Sequence, residues 1–337
     1  MTAEVGVIGA GAWGTALAQT LAGGPDGRGG TEVLLWARES ELVEQINTEH
    51  RNGLYLPSAE LAETVRATSD LAELADLPAL LVVVPAQFLA SVIAGLPKGE
   101  RDLVLCAKGI EAETGRLMAD VAADAAPEAR LAVLSGPTFA HEVAAGLPTA
   151  VTLACSGGED QWDRLSHVIA RPAFRPYYSD DVTGAEIGGA VKNVLAIACG
   201  VVDGLKLGQN ARAALIARGY AEMLRFGLAR GARAETLSGL CGLGDLVLTC
   251  SSTSSRNFSL GLALGQGLTA AEALSGKNSV AEGATTAPVL AELARRDGIE
   301  MPIVDAVCHL LDGEMPAGAV VSELLARPLK AEQESAL

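Results

Sequence analysis

VGVIGAGAWGTALA, residues 5–18, decides the fold. Its first four residues are apolar without alternation, which reads as a strand covered on both faces. Gly9-Ala10-Gly11-Ala12-Trp13-Gly14 follows at once, and helical character begins there. A glycine-x-glycine-x-x-glycine run alone is a weak signal. Placed between a strand and a helix, it reads as a turn that cradles a pyrophosphate. Gly9 permits the tight turn, Gly11 lets backbone approach the phosphates, and Gly14 lets helix pack closely on strand. The helix N-terminus contributes its unbonded amides. The competing reading is a glycine-rich turn with no ligand, which the strand–turn–helix context disfavours.

Outward from this segment, short β-branched or apolar runs recur at residues 32–36, 65–68, 80–84, 103–107, 131–134, 151–154 and 174–178. Helical stretches lie between most of them, for example at 39–48, 87–93 and 114–125. Such alternation predicts a doubly wound parallel sheet. After about residue 180 the β pattern fades, and segments of helical length and period take over at 185–204, 211–230, 255–265, 281–295 and 303–311. The expected fold is α/β: an N-terminal Rossmann-type doubly wound sheet followed by an all-α C-terminal domain. We place the division at 182/183, with a dinucleotide-binding domain over 1–182 and a substrate and catalytic domain over 183–330. The glycine-rich stretch 23–30 reads as a long surface loop, and the polar tail after residue 327 as a frayed end.

A chain of 337 residues with 49% hydrophobic and 20% charged residues suits two globular domains, each with a substantial core. Its 25 Lys and Arg against 41 Asp and Glu give a formal charge of −16. That field repels nucleic acid and anionic membranes, so neither is an expected partner. A small anion binds only where a local cation or helix N-terminus overrides the field, which makes each well-placed cation informative. The six cysteines are scattered without a disulfide framework or a zinc spacing, so no metal site is expected and the thiols read as reduced. The opening Met1-Thr2-Ala3-Glu4 enters a strand directly, and the longest apolar runs, such as 194–202, fall short of a membrane span. A cytoplasmic protein without membrane insertion is expected, and the architecture is compatible with a homodimer.

Six segments carry candidate chemistry. Lys192 lies in IGGAVKNVLAIA, residues 187–198, otherwise nearly free of charge. An ammonium there loses hydration and needs a partner, a depressed pKa, or both, which suits proton transfer near neutrality. The alternative is a structural lysine whose head snorkels to water. Lys108 ends the apolar strand 103–107, at the carboxyl side where open α/β sheets bind ligands, though surface solvation explains one such lysine equally well. Asp245, in apolar surroundings, reads as a charge partner for a buried lysine. Ser255-Arg256-Asn257 reads either as a phosphate clamp or as an ordinary helix start. At the end of the second strand, Arg38 stands where this fold reads the adenine ribose and favours NADP over NAD, although Glu39 adjoins it and a solvated helix-start arginine is the other reading. Residues 135–140, SGPTFA, read as a ligand-contact loop.

In their order and wording these segments resemble the bacterial NAD(P)-dependent glycerol-3-phosphate dehydrogenases over nearly the whole chain. The matching blocks are GAGAWGTALA at 9–18, LPSAELAETVRATSDL at 56–71, LLVVVPAQ at 80–87, AKGIEAETGRLM at 107–118 and SGPTFAHEVAAGLPTA at 135–150. GGAVKNVLAI at 188–197, ARAALIARGYAEM at 211–223, GLGDLVLTC at 242–250, SSRN at 254–257 and VAEG at 280–283 complete them. The resemblance implies reversible reduction of dihydroxyacetone phosphate, a small phosphorylated substrate, to sn-glycerol 3-phosphate, which feeds phospholipid synthesis; the preference for NADPH over NADH rests on Arg38. It implies Lys192 as general acid/base, assisted by Lys108 and Asp245. Lys108, Gly136, Thr138, Lys192, Asn193, Asp245, Thr249, Ser255, Arg256 and Asn257 become substrate-site residues. Ala12, Trp13, Arg38, Lys108, Ala140, Arg256, Val280 and Glu282 join Gly9, Gly11 and Gly14 as cofactor contacts. The one departure is the longer loop at 23–30. The alternative enzyme class is a Rossmann reductase of the β-hydroxyacid dehydrogenase type; a nucleotide sensor without chemistry is the non-enzymatic one.

Overall fold

The computed structural model describes residues 5–24, 30–275 and 281–328. The chain forms two compact units, one of Met1–Ala107 with Met118–Val182, the other of Lys108–Leu117 with Thr183–Leu337. The second unit therefore takes a ten-residue piece from the first half of the sequence, which a single division at 182/183 does not contain.

In the first unit, strands β1 (Val5–Ile8), β2 (Val33–Trp36), β3 (Arg51–Asn52), β4 (Leu56–Glu60), β5 (Val65–Thr68), β6 (Ala79–Val82), β7 (Asp102–Leu105), β8 (Arg130–Ser135), β9 (Thr149–Cys155) and β10 (Phe174–Ser179) alternate with helices. The helices are α1 (Ala12–Ala22), α2 (Ser40–Glu49), α3 (Leu89–Ala94), α4 (Met118–Ala125), α5 (Ala140–Ala144) and α6 (Gly158–Ile169). Eight strands form one sheet in the order β10-β9-β8-β7-β6-β1-β2-β5, and β3 with β4 makes a small antiparallel hairpin. β1, β6 and β7 are buried at every position, as strands covered on both faces must be. The order reverses between β1 and β6, so the crevice outside their carboxyl ends is the switch point at which this architecture binds ligands.

The sheet departs from the expected all-parallel form at one place. β8 and β9 pair antiparallel, with Ala132 opposite Cys155, while β10 runs parallel to β9. The link between β8 and β9 holds only the five-residue α5, roughly 8 Å long, against roughly 20 Å of strand to retrace. The chain therefore turns back beside β8 instead of crossing over. The helix expected at 114–125 starts only at Met118, because the residues before it belong to the other unit.

The second unit is helical, as read from the sequence. α7 (Val182–Gly204) is its axis, followed by α8 (Gln209–Ala229), α9 (Ala234–Ser238), a π-turn at Leu240–Gly244, α10 (Asp245–Thr249) and α11 (Arg256–Gly265). α12 (Ala270–Leu274), α13 (Glu282–Arg296), α14 (Pro302–Asp312) and α15 (Ala317–Leu325) complete it. α7 is long and apolar enough to cross a membrane by length and composition, yet its apolar window is wholly buried within the protein. Gly200 of α7 and Gly261 of α11 meet with no room for side chains: a Cβ on Gly200 would lie 2.1 Å from the Phe258 carbonyl oxygen, and one on Gly261 1.9 Å from that of Ile197. Ile110, from the ten-residue piece, is buried in this unit's core. Residues 25–29 of the glycine-rich loop, the tail from 329, and Val280 lie outside the described residues.

Candidate active site

The glycine-rich turn behaves as its spacing requires. A Cβ on Gly14 would stand 1.8 Å from the Gly9 carbonyl oxygen, so the helix can lie against the turn only without a side chain. Gly9 has φ +111°, a conformation that favours glycine. Gly11 is different: a Cβ there would meet nothing within 4 Å, so its bareness leaves open space rather than serving protein packing. Beside it, the Trp13 indole Nε1 is buried without a hydrogen-bond partner among the described residues. Open space over the Gly11 backbone at a helix N-terminus fits the pyrophosphate end of a dinucleotide.

The other cofactor residues predicted in this unit, and the predicted substrate residues Gly136 and Thr138, fall in several places. Arg38 follows β2 and is largely exposed, its Nη2 3.0 Å from Glu39 Oε1. Such an exposed pair holds the guanidinium weakly and leaves it available to an anion. Ala140 opens α5. Gly136 lies against β9, where a Cβ would come 2.9 Å from the Val151 Cα, and the Thr138 hydroxyl donates to the Gly136 carbonyl at 3.3 Å. Asn52, to which the sequence reading gave no role, is fully buried and donates to the Ala10 carbonyl at 2.8 Å, inside the glycine-rich turn. The signal that could have found it is the Asn52-Gly53 pair, a turn marker.

The second unit assembles the ionic site. Gly188, one turn before Lys192 on α7, faces the π-turn so closely that a Cβ would sit 2.5 Å from the Cys241 carbonyl oxygen. That approach sets Asp245, the first residue of α10, beside Lys192. The Lys192 Nζ lies 3.1 Å from Asp245 Oδ1 and donates to the Thr249 hydroxyl at 2.8 Å, while Thr249 donates to the same Asp245 oxygen at 3.1 Å. Lys108 Nζ donates to the other carboxylate oxygen at 2.7 Å. One buried carboxylate thus serves two ammonium groups. The separate motifs for Lys192, Lys108 and Asp245 converge here, as their chemistry suggested.

The electrostatics follow from that sharing. Burial, then the Lys108 charge, lowers the Lys192 pKa to about 8 against the opposing pull of Asp245. Asp245 is also deeply buried, which alone would raise its pKa, but Lys108 and Lys192 together hold it below the ordinary carboxylate value. The neighbouring Cys250 thiol is pushed well above its usual pKa by a hydrogen bond with Cys199 and by burial, so it stays neutral beside the lysine.

Around this centre, Asn193 donates to the Lys108 carbonyl at 3.0 Å, fixing the backbone that carries Lys108. Asn257 donates to Asn193 Oδ1 at 2.9 Å and accepts from the Gly283 amide at 3.0 Å. Its side-chain oxygen is therefore engaged within the protein, which the clamp reading did not foresee. Ser255 caps α11, its hydroxyl accepting from Phe258 N at 3.2 Å, and exposed Arg256 opens the helix beside the buried Asn257. Glu282 opens α13.

A doubly wound sheet with a glycine-rich phosphate turn, joined in one chain to a helical unit with a buried lysine pair, defines the class: a dinucleotide-dependent dehydrogenase. The chain belongs to the NAD-dependent glycerol-3-phosphate dehydrogenase family, whose N-terminal model matches residues 4–161 and whose C-terminal model matches residues 181–322. It is 72% identical over 332 residues to the glycerol-3-phosphate dehydrogenase [NAD(P)+] of Novosphingobium aromaticivorans, covering 98% of this chain and 99% of that one. It is 69% identical over 335 residues to that of Erythrobacter litoralis, covering 99% of both. Among solved structures, glycerol-3-phosphate dehydrogenase from Coxiella burnetii is similar with a TM-score of 0.90 at 42% identity, over 96% of this chain and 98% of that chain.

Proposed function

We propose that this dehydrogenase reduces dihydroxyacetone phosphate reversibly to sn-glycerol 3-phosphate, with Lys192 as the group that gives and takes the proton. The observation that carries the assignment is the buried triad in which Asp245 holds Lys192 and Lys108 at 3.1 and 2.7 Å. When bound, the reduced nicotinamide supplies the hydride for the carbonyl carbon. Negative charge then develops on the carbonyl oxygen, and the residues that meet it must be cationic, proton-bearing and dry. Lys192 meets each requirement: with a pKa near 8 it is mostly protonated at pH 7, yet releases its proton at small cost. Two of its N–H groups are directed by Asp245 and Thr249, which leaves the third for the substrate oxygen.

Lys108 stabilises the same developing charge electrostatically, and a fixed ammonium in a low-dielectric site acts there without reorganisation. In the reverse direction, neutral Lys192 accepts the hydroxyl proton. Exposed Arg256 and the first-turn amides of α11 hold the substrate phosphate, since a guanidinium pairs with two phosphate oxygens and the helix end favours negative charge. Phosphate binding remote from the reacting carbon then orients the carbonyl. Asn257 supports that helix end through Asn193 and Gly283 and has one amide proton left for the phosphate. Arg38, exposed at the end of β2, favours NADPH by reading the 2′-phosphate. The product would serve glycerophospholipid synthesis in the cytoplasm.

The test is NADPH oxidation with dihydroxyacetone phosphate, repeated with NADH and with unphosphorylated keto acids. Turnover that requires the phosphorylated ketone supports the assignment. Preference for the keto acids would overturn it in favour of a β-hydroxyacid dehydrogenase activity.

A further inference from the structure

We infer that Asn52, on the β3–β4 hairpin, is a positioning residue that aims the phosphate-binding amide of Gly11 at the cofactor. The inference rests on the reading of the glycine-rich turn as the dinucleotide cradle. Asn52 is fully buried, and its amide has one possible orientation. The Ala10 carbonyl can only accept, so the NH2 group faces it, at 2.8 Å. The Tyr55 backbone N–H can only donate, so Oδ1 faces that, at 2.9 Å. The second NH2 proton goes to the Thr15 hydroxyl at 2.7 Å, and that hydroxyl donates back to the same Ala10 carbonyl at 3.3 Å. The Ala10 carbonyl is held from two sides, by Asn52 and by Thr15, and these two side chains are bonded to each other.

Peptide geometry converts that hold into function. The Ala10–Gly11 bond is trans, so the Ala10 C=O and the Gly11 N–H point in opposite directions in one plane. With the carbonyl pinned inward on buried Asn52, the Gly11 N–H is turned outward, on the residue whose Cβ position is empty to 4 Å. Without the pin, this two-glycine turn can rotate the peptide, and the amide leaves the phosphate direction. The hairpin is itself anchored, since Gly53 N donates to Gln45 Oε1 of α2 at 3.0 Å. Asn52 acts through the Ala10–Gly11 peptide and not on the cofactor itself.

The experiment compares NADPH and NADH dissociation constants, by nucleotide fluorescence titration, for the wild type, Asn52→Ala, Thr15→Val and Gly11→Ala. Asn52→Ala should weaken both nucleotides by the same factor of about 10, the loss of one buried hydrogen bond's worth of orientation. The cofactor KM should follow it, while kcat at saturating cofactor stays within about twofold. Thr15→Val should weaken both nucleotides by a smaller equal factor. A residue that merely stabilises the fold would lower Tm and the active fraction but leave the dissociation constants unchanged. Unchanged constants in Asn52→Ala, with Gly11→Ala impaired, would overturn the inference and leave the cradle reading standing. Unchanged constants in Gly11→Ala as well would overturn the cradle reading. Should Asn52→Ala not fold, wild-type constants in Thr15→Val overturn the inference on their own.

Discussion

At the scale of single residues, the shared carboxylate of Asp245 determines the behaviour of both lysines. Lys192→Ala should lower kcat for dihydroxyacetone phosphate reduction by about 10³-fold, within the usual range for a lost general acid, while the NADPH dissociation constant is unchanged; near-full activity would refute the acid/base role. Because the Lys192 pKa is lowered to about 8, kcat/KM for reduction should fall as pH rises through about 8, and that for oxidation should rise over the same interval. Asp245→Asn leaves two ammonium groups without their counter-charge. It should cost roughly 3 kcal/mol of stability in denaturant unfolding at neutral pH, and it should move the alkaline limb of the reduction profile to lower pH. Arg38→Ala should raise the KM for NADPH about tenfold more than that for NADH, and equal losses would show that Arg38 does not read the 2′-phosphate.

At the scale of elements, α8 and α14 are tied by a buried acid. Glu222 accepts from Ile303 N at 2.8 Å and Val304 N at 3.3 Å, capping the first turn of α14, yet burial pushes its pKa up to about 8, against those bonds and Arg225. The folded state thus binds a proton that the unfolded chain releases from about 4.5 upward. This group's stabilisation is complete below that value and is lost as pH rises through about 8. Over that window the loss is on the order of 5 kcal/mol. Glu222→Gln should flatten the decline in unfolding free energy between pH 5 and 8.

Elements also show where sequence pattern carries and where it stops. The strands of the first half were legible because a parallel sheet buries whole apolar runs, and the glycine turn because its spacing is stereochemical. The reversal at β9 was not, since strand direction depends on whether the intervening helix is long enough to cross the sheet, a length that residue types mark poorly. Lys192 was legible as a charge in an apolar run, but its contact with Asp245 depends on the meeting of Gly188 with the π-turn, a tertiary fact. Asn52 carried only a turn signal, and its engagement with Ala10 spans 42 residues of chain.

At the scale of the molecule, the two units differ in continuity. The ten residues Lys108–Leu117 leave the sheet unit's sequence, contribute Ile110 to the helical core, and return to start α4. The helical unit is therefore not a contiguous length of chain, and neither is the triad. During synthesis Lys108 is made 137 residues before Asp245, a wait of roughly 7 to 30 s at ordinary elongation rates. Within that interval the ribosome delivers the remaining strands of the first unit and then α7, while Lys108 waits for its carboxylate partner. The Lys108–Asp245 ion pair thus forms only after every strand of the sheet has been made, and a chain that stops short of Asp245 carries a sheet but lacks the carboxylate that joins the two lysines.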